Sequence, residues 1–380
     1  MIVTQPLNHI HLADFNFILN QYTRRDNMNI TIVGAGNGGS AMAADLSIKG
    51  HKVTLFKSST KGHNEHFDTL IKKNGEILFK DLDNEKKTRI HKITNSVSEA
   101  FSEDPKVIVL FIKTNYHEDI IKRISPYLKD DQVVLIEPGY LSTAYFLMHC
   151  KNRNLILVEA QSSPLDCRII APGVIKILFK NERNPIGVYP TNRIGEAETI
   201  LKEFDYNFVI LKSVVEAALH NPNLIVHTIG AIMSIPRIEY TDEEYSMYRE
   251  VFTPSIWNLV EKLDAEKMEV LKSLNIRGIS YVEACKFRNS KDLSLDAKEV
   301  FYDYAQNDSP TGPTISNSRY ITEDVPEGLV LLESLGEMLN IKTPVCTALI
   351  EIASTCLNTD FRAYGRTLSK LGVENVKLIM

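Results

Sequence analysis

The sequence predicts an α/β chain with a parallel sheet in its N-terminal half and a mostly helical second half. Three observations lead there. An apolar run over 29–33 breaks into Gly34-Ala-Gly36-Asn37-Gly38-Gly39 and a small-residue helix that ends near Gly50. A second apolar strand follows over 52–57, and strand and helix patterns then alternate to about residue 190. From about residue 194 a 3.6-residue period takes over. The order implies a Rossmann-type dinucleotide-binding domain over 28–193, then a helical substrate or catalytic domain over 194–380.

In the first turn Gly34 permits the tight bend, Gly36 lets backbone approach a pyrophosphate, and Gly39 lets helix pack on strand. The helix N-terminus adds unpaired N–H groups and partial positive charge. Such a turn can also occur without a ligand, but its place between a strand and a helix, with another strand following, favours a nucleotide. The second strand ends in Lys57, Ser58, Ser59 and Thr60, without the Asp or Glu that would accept from a ribose 2′-hydroxyl, so NADP(H) is preferred over NAD(H).

Next come an amphipathic stretch over 66–73, a turn at Asn74-Gly75 and a hairpin pairing 76–79 with 87–93. Continuous apolar strands over 107–112 and 132–136 suit a sheet covered on both faces, with a helix over 117–128 between them. Strands over 155–158 and 175–179 continue the alternation. Helical patterns cover 194–204, 213–234, 243–274, 281–285, 328–339 and 347–357, and 292–322 reads as a long loop. Ligands of open α/β sheets lie beyond the strand carboxyl ends, which adds Thr114, Pro138 and Gly139 to Gly34, Gly36, Asn37, Gly38, Gly39, Lys57 and Ser58 as cofactor contacts.

The charge balance, 43 basic against 48 acidic side chains with the basic ones dispersed, offers no footprint for nucleic acid or a membrane surface. Five cysteines at long, irregular spacings argue against a zinc site or a disulfide framework and suit buried thiols in a reducing cytoplasm. No metal site is expected. Residues 1–27 read as a peripheral extension, with no signal core, and no apolar span of about 18 residues occurs, so a protein neither exported nor embedded is expected. The sequence leaves the oligomeric state open, with a homodimer as the assembly considered.

Hydride transfer to C=O or C=N calls for a proton donor, a group that orients it, and a cation for a substrate carboxylate. Histidine with a carboxylate serves the first two. Of ten histidines, His9, His11, His51, His63, His66 and His91 fall in the extension or in polar, exposed-looking stretches. His117 and His149 lie at helix ends, which leaves His220 and His227 in the segment His220-Asn-Pro-Asn-Leu-Ile-Val-His227. Polar residues interrupting an apolar helix need partners, either in a cleft or as satisfied core groups.

At this point the chain resembles the opine dehydrogenase family, the octopine and nopaline dehydrogenase group, from about Asn29 to Leu371. The likeness is carried by the glycine turn, Glu137-Pro-Gly139, Glu159-Ala-Gln-Ser-Ser-Pro164 with Cys167-Arg168, and Asn221 through His227. Arg237-Ile-Glu239, Thr253-Pro-Ser255, Leu263-Asp-Ala-Glu266, the run from Arg319 to Pro326, Thr343-Pro344, Asp360-Phe-Arg362 and Gly365-Arg366-Thr367-Leu368 extend it. The resemblance implies a two-domain enzyme that condenses an amino acid or amine with a 2-oxo acid and reduces the imine with NAD(P)H. It further implies a His227–Asp324 catalytic dyad, with Arg319 on a substrate carboxylate and Asn223 as a further substrate contact.

Two features depart from the family pattern. Thr228 follows the histidine where proline is common, and Ser234-Ile-Pro236 precedes Arg237. Rival readings are a relative of glycerol-3-phosphate dehydrogenase or ketopantoate reductase, which would use a lysine among Lys212, Lys262, Lys267 and Lys272, or an NADP(H)-binding sensor without turnover. An ion pair between Arg319 and Asp324 that merely caps a helix is the bland alternative to the dyad.

Overall fold

The computed structural model describes residues 27–81, 84–241 and 243–380. Of the N-terminal extension expected over 1–27, all but the exposed Asn27 lies outside the described residues. An eight-stranded sheet runs in the order β12-β11-β8-β7-β6-β1-β2-β5, with β1 (Asn29–Val33), β2 (Lys52–Phe56), β5 (Lys92–Thr94), β6 (Val107–Leu110), β7 (Val133–Ile136), β8 (Ile156–Ala160), β11 (Asn184–Tyr189) and β12 (Phe208–Ile210). The six strands from β5 to β8 are parallel, and β11 runs antiparallel to β8. β1 pairs with β2 on one side and β6 on the other, so the chain changes winding direction between β1 and β6. Ligands of open α/β sheets bind at such a point, and here Gly34 of the glycine turn packs on Phe111 after β6.

Along β1 and β6 successive side chains enter different cores. Ile30, Ile32, Val107 and Val109 pack on the first helix, Asn37–Ile48, whereas Val33, Ile108 and Leu110 join a core that runs on into the helical domain. The second core includes Leu224, Ile225, Val325 and Leu329. Sheet and helical domain therefore share apolar packing along with the cleft between them.

A second, four-stranded sheet, β4-β3-β10-β9, stands beside the first: β3 (Glu76–Asp81), β4 (Asn84–Arg89), β9 (Leu165–Ala171) and β10 (Val174–Lys180). The sequence reading differs here in several places. The expected 87–93 strand is split, with β4 completing the hairpin and β5 joining the large sheet beside β2. The strand read over 175–179 belongs to the small sheet. The large sheet extends to Ile210, past the boundary read at residue 193, because helical periodicity in Ile194–Leu201 is the same for a helix on a sheet as for one in a bundle. The helix pattern over 213–234 breaks at His220-Asn221-Pro222 into Val214–Leu219 and Asn223–Tyr240.

The expected loop over 292–322 contains a helix, Ala297–Asn307. Asp296 caps it, accepting from the N–H groups of Lys298 and Glu299, while Ala297, Phe301 and Ala305 bury one face. His66 and His51, expected to be exposed, are buried. The amphipathic helix Asn64–Lys72 turns His66 inward with Phe67 and Leu70, and the Gly173 N–H donates to its Nδ1 at 3.1 Å. Four cysteines are buried thiols and Cys356 is exposed. Among the described residues no helix is long and apolar enough to cross a membrane.

Candidate active site

Gly34 follows β1 with φ +127°, and a Cβ there would collide with the Phe111 carbonyl. Gly36 differs. It precedes the helix Asn37–Ile48 in extended conformation, and a Cβ would find only the His63 ring, at 3.7 Å, so this space is kept by no protein atom. The helix has no acidic residue in its first turn and no side-chain cap, which leaves its N–H groups for an anion. These features fit a dinucleotide pyrophosphate. Gly36→Ala should therefore leave the melting temperature close to wild type but weaken NAD(P)H binding about 10–100-fold by intruding on the bound phosphates, measured by fluorescence titration.

The other cofactor candidates have varied settings. The Ile169 N–H donates to Asn37 Oδ1 at 2.9 Å, so this side chain pins β9 to the glycine turn. Gly38 lies against the Phe111 ring, and Gly39 packs on the Gly34 carbonyl. Lys57 is buried and donates to the carbonyls of Ser59 and Gly62, both at 2.8 Å, so it folds its own loop. Arg123 donates to the Ser58 carbonyl at 2.7 Å from the helix His117–Ile124. Pro138 is half-buried at the end of β7.

Beyond β6 and β7, side chains from distant segments hold the two loops. The Thr114 N–H and hydroxyl both donate to Glu323 Oε1, at 2.8 and 3.0 Å, across the two domains. Gly139 lies where a Cβ would overlap the Glu159 carboxyl. That carboxyl accepts from the N–H groups of Leu141 and Ser142 and from the Thr143 hydroxyl, and it holds Tyr140 and Leu141 at φ 45° and 68°. Arg366, fully buried, donates to the carbonyls of Gly139, Tyr140 and Thr114 and pairs with Glu327.

His117 stands behind this wall, Nδ1 at 2.7 Å from Ser142 Oγ and Nε2 at 3.2 Å from the Ile112 carbonyl. Burial, with the nearby Arg366 charge, pushes its pKa down to about 3. Below pH about 6.5 the unfolded chain takes up a proton that the folded chain refuses, so stability present above that pH is lost as pH falls toward 3. Between pH 7 and 4.5 this group should remove about 2 kcal/mol. Urea unfolding at both pH values should show a smaller loss in His117→Gln.

His227 lies one turn after Asn223 in the helix Asn223–Tyr240, so both occupy one face. Its Nδ1 is 2.8 Å from Asp324 Oδ2, and the Tyr140 hydroxyl donates to Asp324 Oδ1 at 2.8 Å. All three residues are buried. Tyr320 stacks on the imidazole with centroids 3.7 Å apart and planes at 6°. Asp324 reaches this place because Arg319–Thr322 ends just before it and a wide π-type turn, Val325–Leu329, leads into Val330–Met338.

Arg319 is half-exposed, and its nearest carboxylate is Glu323 at 3.8 Å, so the helix-capping pair with Asp324 does not form. The structure thus brings His227 and Asp324 together beside Tyr140, with Arg319 close enough to feel the Asp324 charge and Asn223 one helical turn before His227. Sequence reasoning missed Tyr140, Tyr320, Glu323 and the Glu159 and Arg366 braces, although all but Tyr140 stand in stretches noted for resemblance. Of the lysines a rival mechanism would need, Lys267 is buried and paired with Asp264 at 2.5 Å, and Lys212, Lys262 and Lys272 are exposed. Among the described residues no group of three or more His, Cys, Asp or Glu is placed to hold a metal.

Comparison with known proteins fits this architecture. Residues 210–357 match the family described as NAD/NADP octopine/nopaline dehydrogenase, alpha-helical domain, and residues 30–143 match ketopantoate reductase PanE/ApbA. An opine dehydrogenase of Arthrobacter sp. (strain 1C) is 27% identical over 353 residues, covering 91% of this chain and 95% of its own length. An octopine dehydrogenase solved with NADH and L-arginine superposes with a TM-score of 0.73 at 15% identity, covering 91% of this chain and 96% of that one. Yersinopine dehydrogenase with NADP+ bound gives a TM-score of 0.67 at 13% identity, covering 92% and 94%.

Proposed function

Because the chain belongs to the opine dehydrogenase family of NAD(P)-dependent oxidoreductases, we propose that it joins the amino group of an amino acid to a 2-oxo acid and reduces the resulting imine. The observation that carries this reading is the buried dyad, His227 Nδ1 to Asp324 Oδ2 at 2.8 Å, tied to the loops after β7 and β6 by Tyr140 on Asp324 and Thr114 on Glu323. When bound between the Gly34–Gly39 turn and the 139–140 loop, NAD(P)H supplies the hydride.

The chain's own groups do the rest. Asp324 accepts from Nδ1–H and, held by Tyr140, fixes the ring orientation, which leaves Nε2 to pass a proton to the reacting centre. Arg319 meets a substrate carboxylate with its planar fork, and Asn223 lines the same face. The stacked Tyr320 and the apolar helix around His227 keep water from a hydrolysable imine.

The finer cofactor preference is for NADP(H). The end of β2 lacks a carboxylate for a 2′-hydroxyl, and its loop is ordered by Lys57 and Arg123. Burial and then the charges of Lys57 and Lys113 hold the His63 imidazole below its usual pKa. The test is NADPH and NADH oxidation with amino acids crossed against pyruvate, 2-oxoglutarate and glyoxylate. Turnover requiring both partners, with kcat/KM higher for NADPH, is expected. Turnover with an oxo acid alone would replace condensation by simple carbonyl reduction, and a higher kcat/KM for NADH would reverse the cofactor assignment.

A further inference from the structure

The strand β9 carries a cation that the dyad does not use. Along it Leu165, Cys167 and Ile169 turn toward the core packed on the first helix, so alternation puts Asp166 and Arg168 together on the opposite face. The Tyr304 hydroxyl, on the helix Ala297–Asn307, donates to Asp166 Oδ2 at 3.3 Å, which sets that face against the helical domain. One residue past Arg168, the Ile169 N–H is held at 2.9 Å by Asn37, the first residue of the helix after the glycine turn. Arg168 therefore stands between the glycine turn and the helical domain.

Two neighbours register its approach to the dyad. Burial raises the pKa of Tyr320, the ring stacked on His227, and the charges of Arg319 and then Arg168 act against that rise. Burial likewise raises Asp166, with the charges of Arg288, Arg168 and His227 acting against it. Of the two arginines beside Asp166, Arg288 is buried and Arg168 is exposed. The Arg168 guanidinium makes one hydrogen bond among the described residues, to the Cys167 carbonyl at 2.8 Å, and forms no ion pair among them. Most of its five N–H donors are left for a ligand.

The condensation proposed above, on which this step rests, makes a product with a carboxylate on each side of the new secondary amine. One, from the oxo acid, is attached to the carbon that receives the hydride and so lies beside the proton donor. Arg319, close enough to the dyad to feel the Asp324 charge, is placed for it. The other sits on the amino acid's α-carbon, across the nitrogen and farther from the dyad. We propose that Arg168, reaching in from β9 toward Tyr320, is the anchor for this second carboxylate and so selects an amino acid over a plain amine.

Steady-state rates test it, with the amino acid of highest wild-type turnover. Arg168→Met should raise KM for that amino acid about 10–100-fold, the loss of a charge-assisted fork. KM for the oxo acid and the NADPH dissociation constant should stay within about threefold, and the melting temperature close to wild type, because the side chain is exposed. Arg168→Lys, which keeps the charge without the fork, should recover part of the loss. The control is the amine that lacks only the carboxylate, compared by kcat/KM, or by inhibition constant where it is not turned over. Wild type and Arg168→Met should handle it within about threefold of each other, whereas a packing defect would weaken amine and amino acid alike. An unchanged KM for the amino acid, an equal loss with the amine, or a loss confined to the oxo acid or the cofactor overturns the anchor. A wild-type chain that never joins the two partners removes the proposed reaction and the anchor together; condensation with KM unmoved in Arg168→Met removes the anchor alone.

Discussion

His227→Ala should lower kcat by about 10²–10⁴-fold while the NAD(P)H dissociation constant stays within about threefold of wild type. The ring's Nδ1 is committed to Asp324 at 2.8 Å and Tyr320 covers one ring face at 3.7 Å, so the imidazole is held in a single orientation before substrate arrives. Truncation removes the proposed proton donor and leaves the glycine turn, on another domain, untouched. Asp324 keeps the Tyr140 hydroxyl as a partner, so the variant should fold. The measurements are steady-state rates with both substrates and fluorescence titration of the cofactor. A kcat within threefold of wild type would take His227 out of the mechanism.

Arg366→Met should cost about 3–5 kcal/mol of stability in urea unfolding. This guanidinium is wholly buried, pairs with Glu327 and binds three backbone carbonyls, so its removal leaves a buried carboxyl and three acceptors without their donor. Replacing Glu327 by Met as well should recover part of the loss, because two apolar side chains leave no unpaired charge. A loss under about 1 kcal/mol in the single variant would mean that water or a rearranged carboxylate replaces the arginine. Arg366 also spans both loops at the cleft, so any folded fraction should turn over more slowly.

The parts of the molecule legible in the sequence were those with local signatures. The glycine turn could be read because strand, turn and helix are contiguous, and the apolar runs at β6 and β7 because both faces of those strands are buried. His227 and Asp324 are 97 positions apart, and it was family resemblance, not periodicity, that joined them. Tyr140 was hidden because its role depends on a left-handed backbone, and that conformation is imposed by Glu159 and Arg366 from elsewhere in the chain. Arg366 itself looks like a surface cation beside a short helix. The helix Ala297–Asn307 was hidden by the polar segments around it, since only Ala297, Phe301 and Ala305 mark its inward face.

The small sheet has two margins, and they are guarded differently. At β9 the Asn37 side chain holds Ile169 against the first helix, so this margin is covered. At β4 the strand ladder ends in the open, carrying Glu85, Lys86, Lys87 and Arg89 on a largely solvent-facing strand. Strand ladders of separate molecules can zip together along such a margin, and closely spaced charges make that union repulsive in one register and poorly solvated in the next. Exchanging these four side chains for valines should create an adhesive seam, read as concentration-dependent light scattering absent from the wild-type chain.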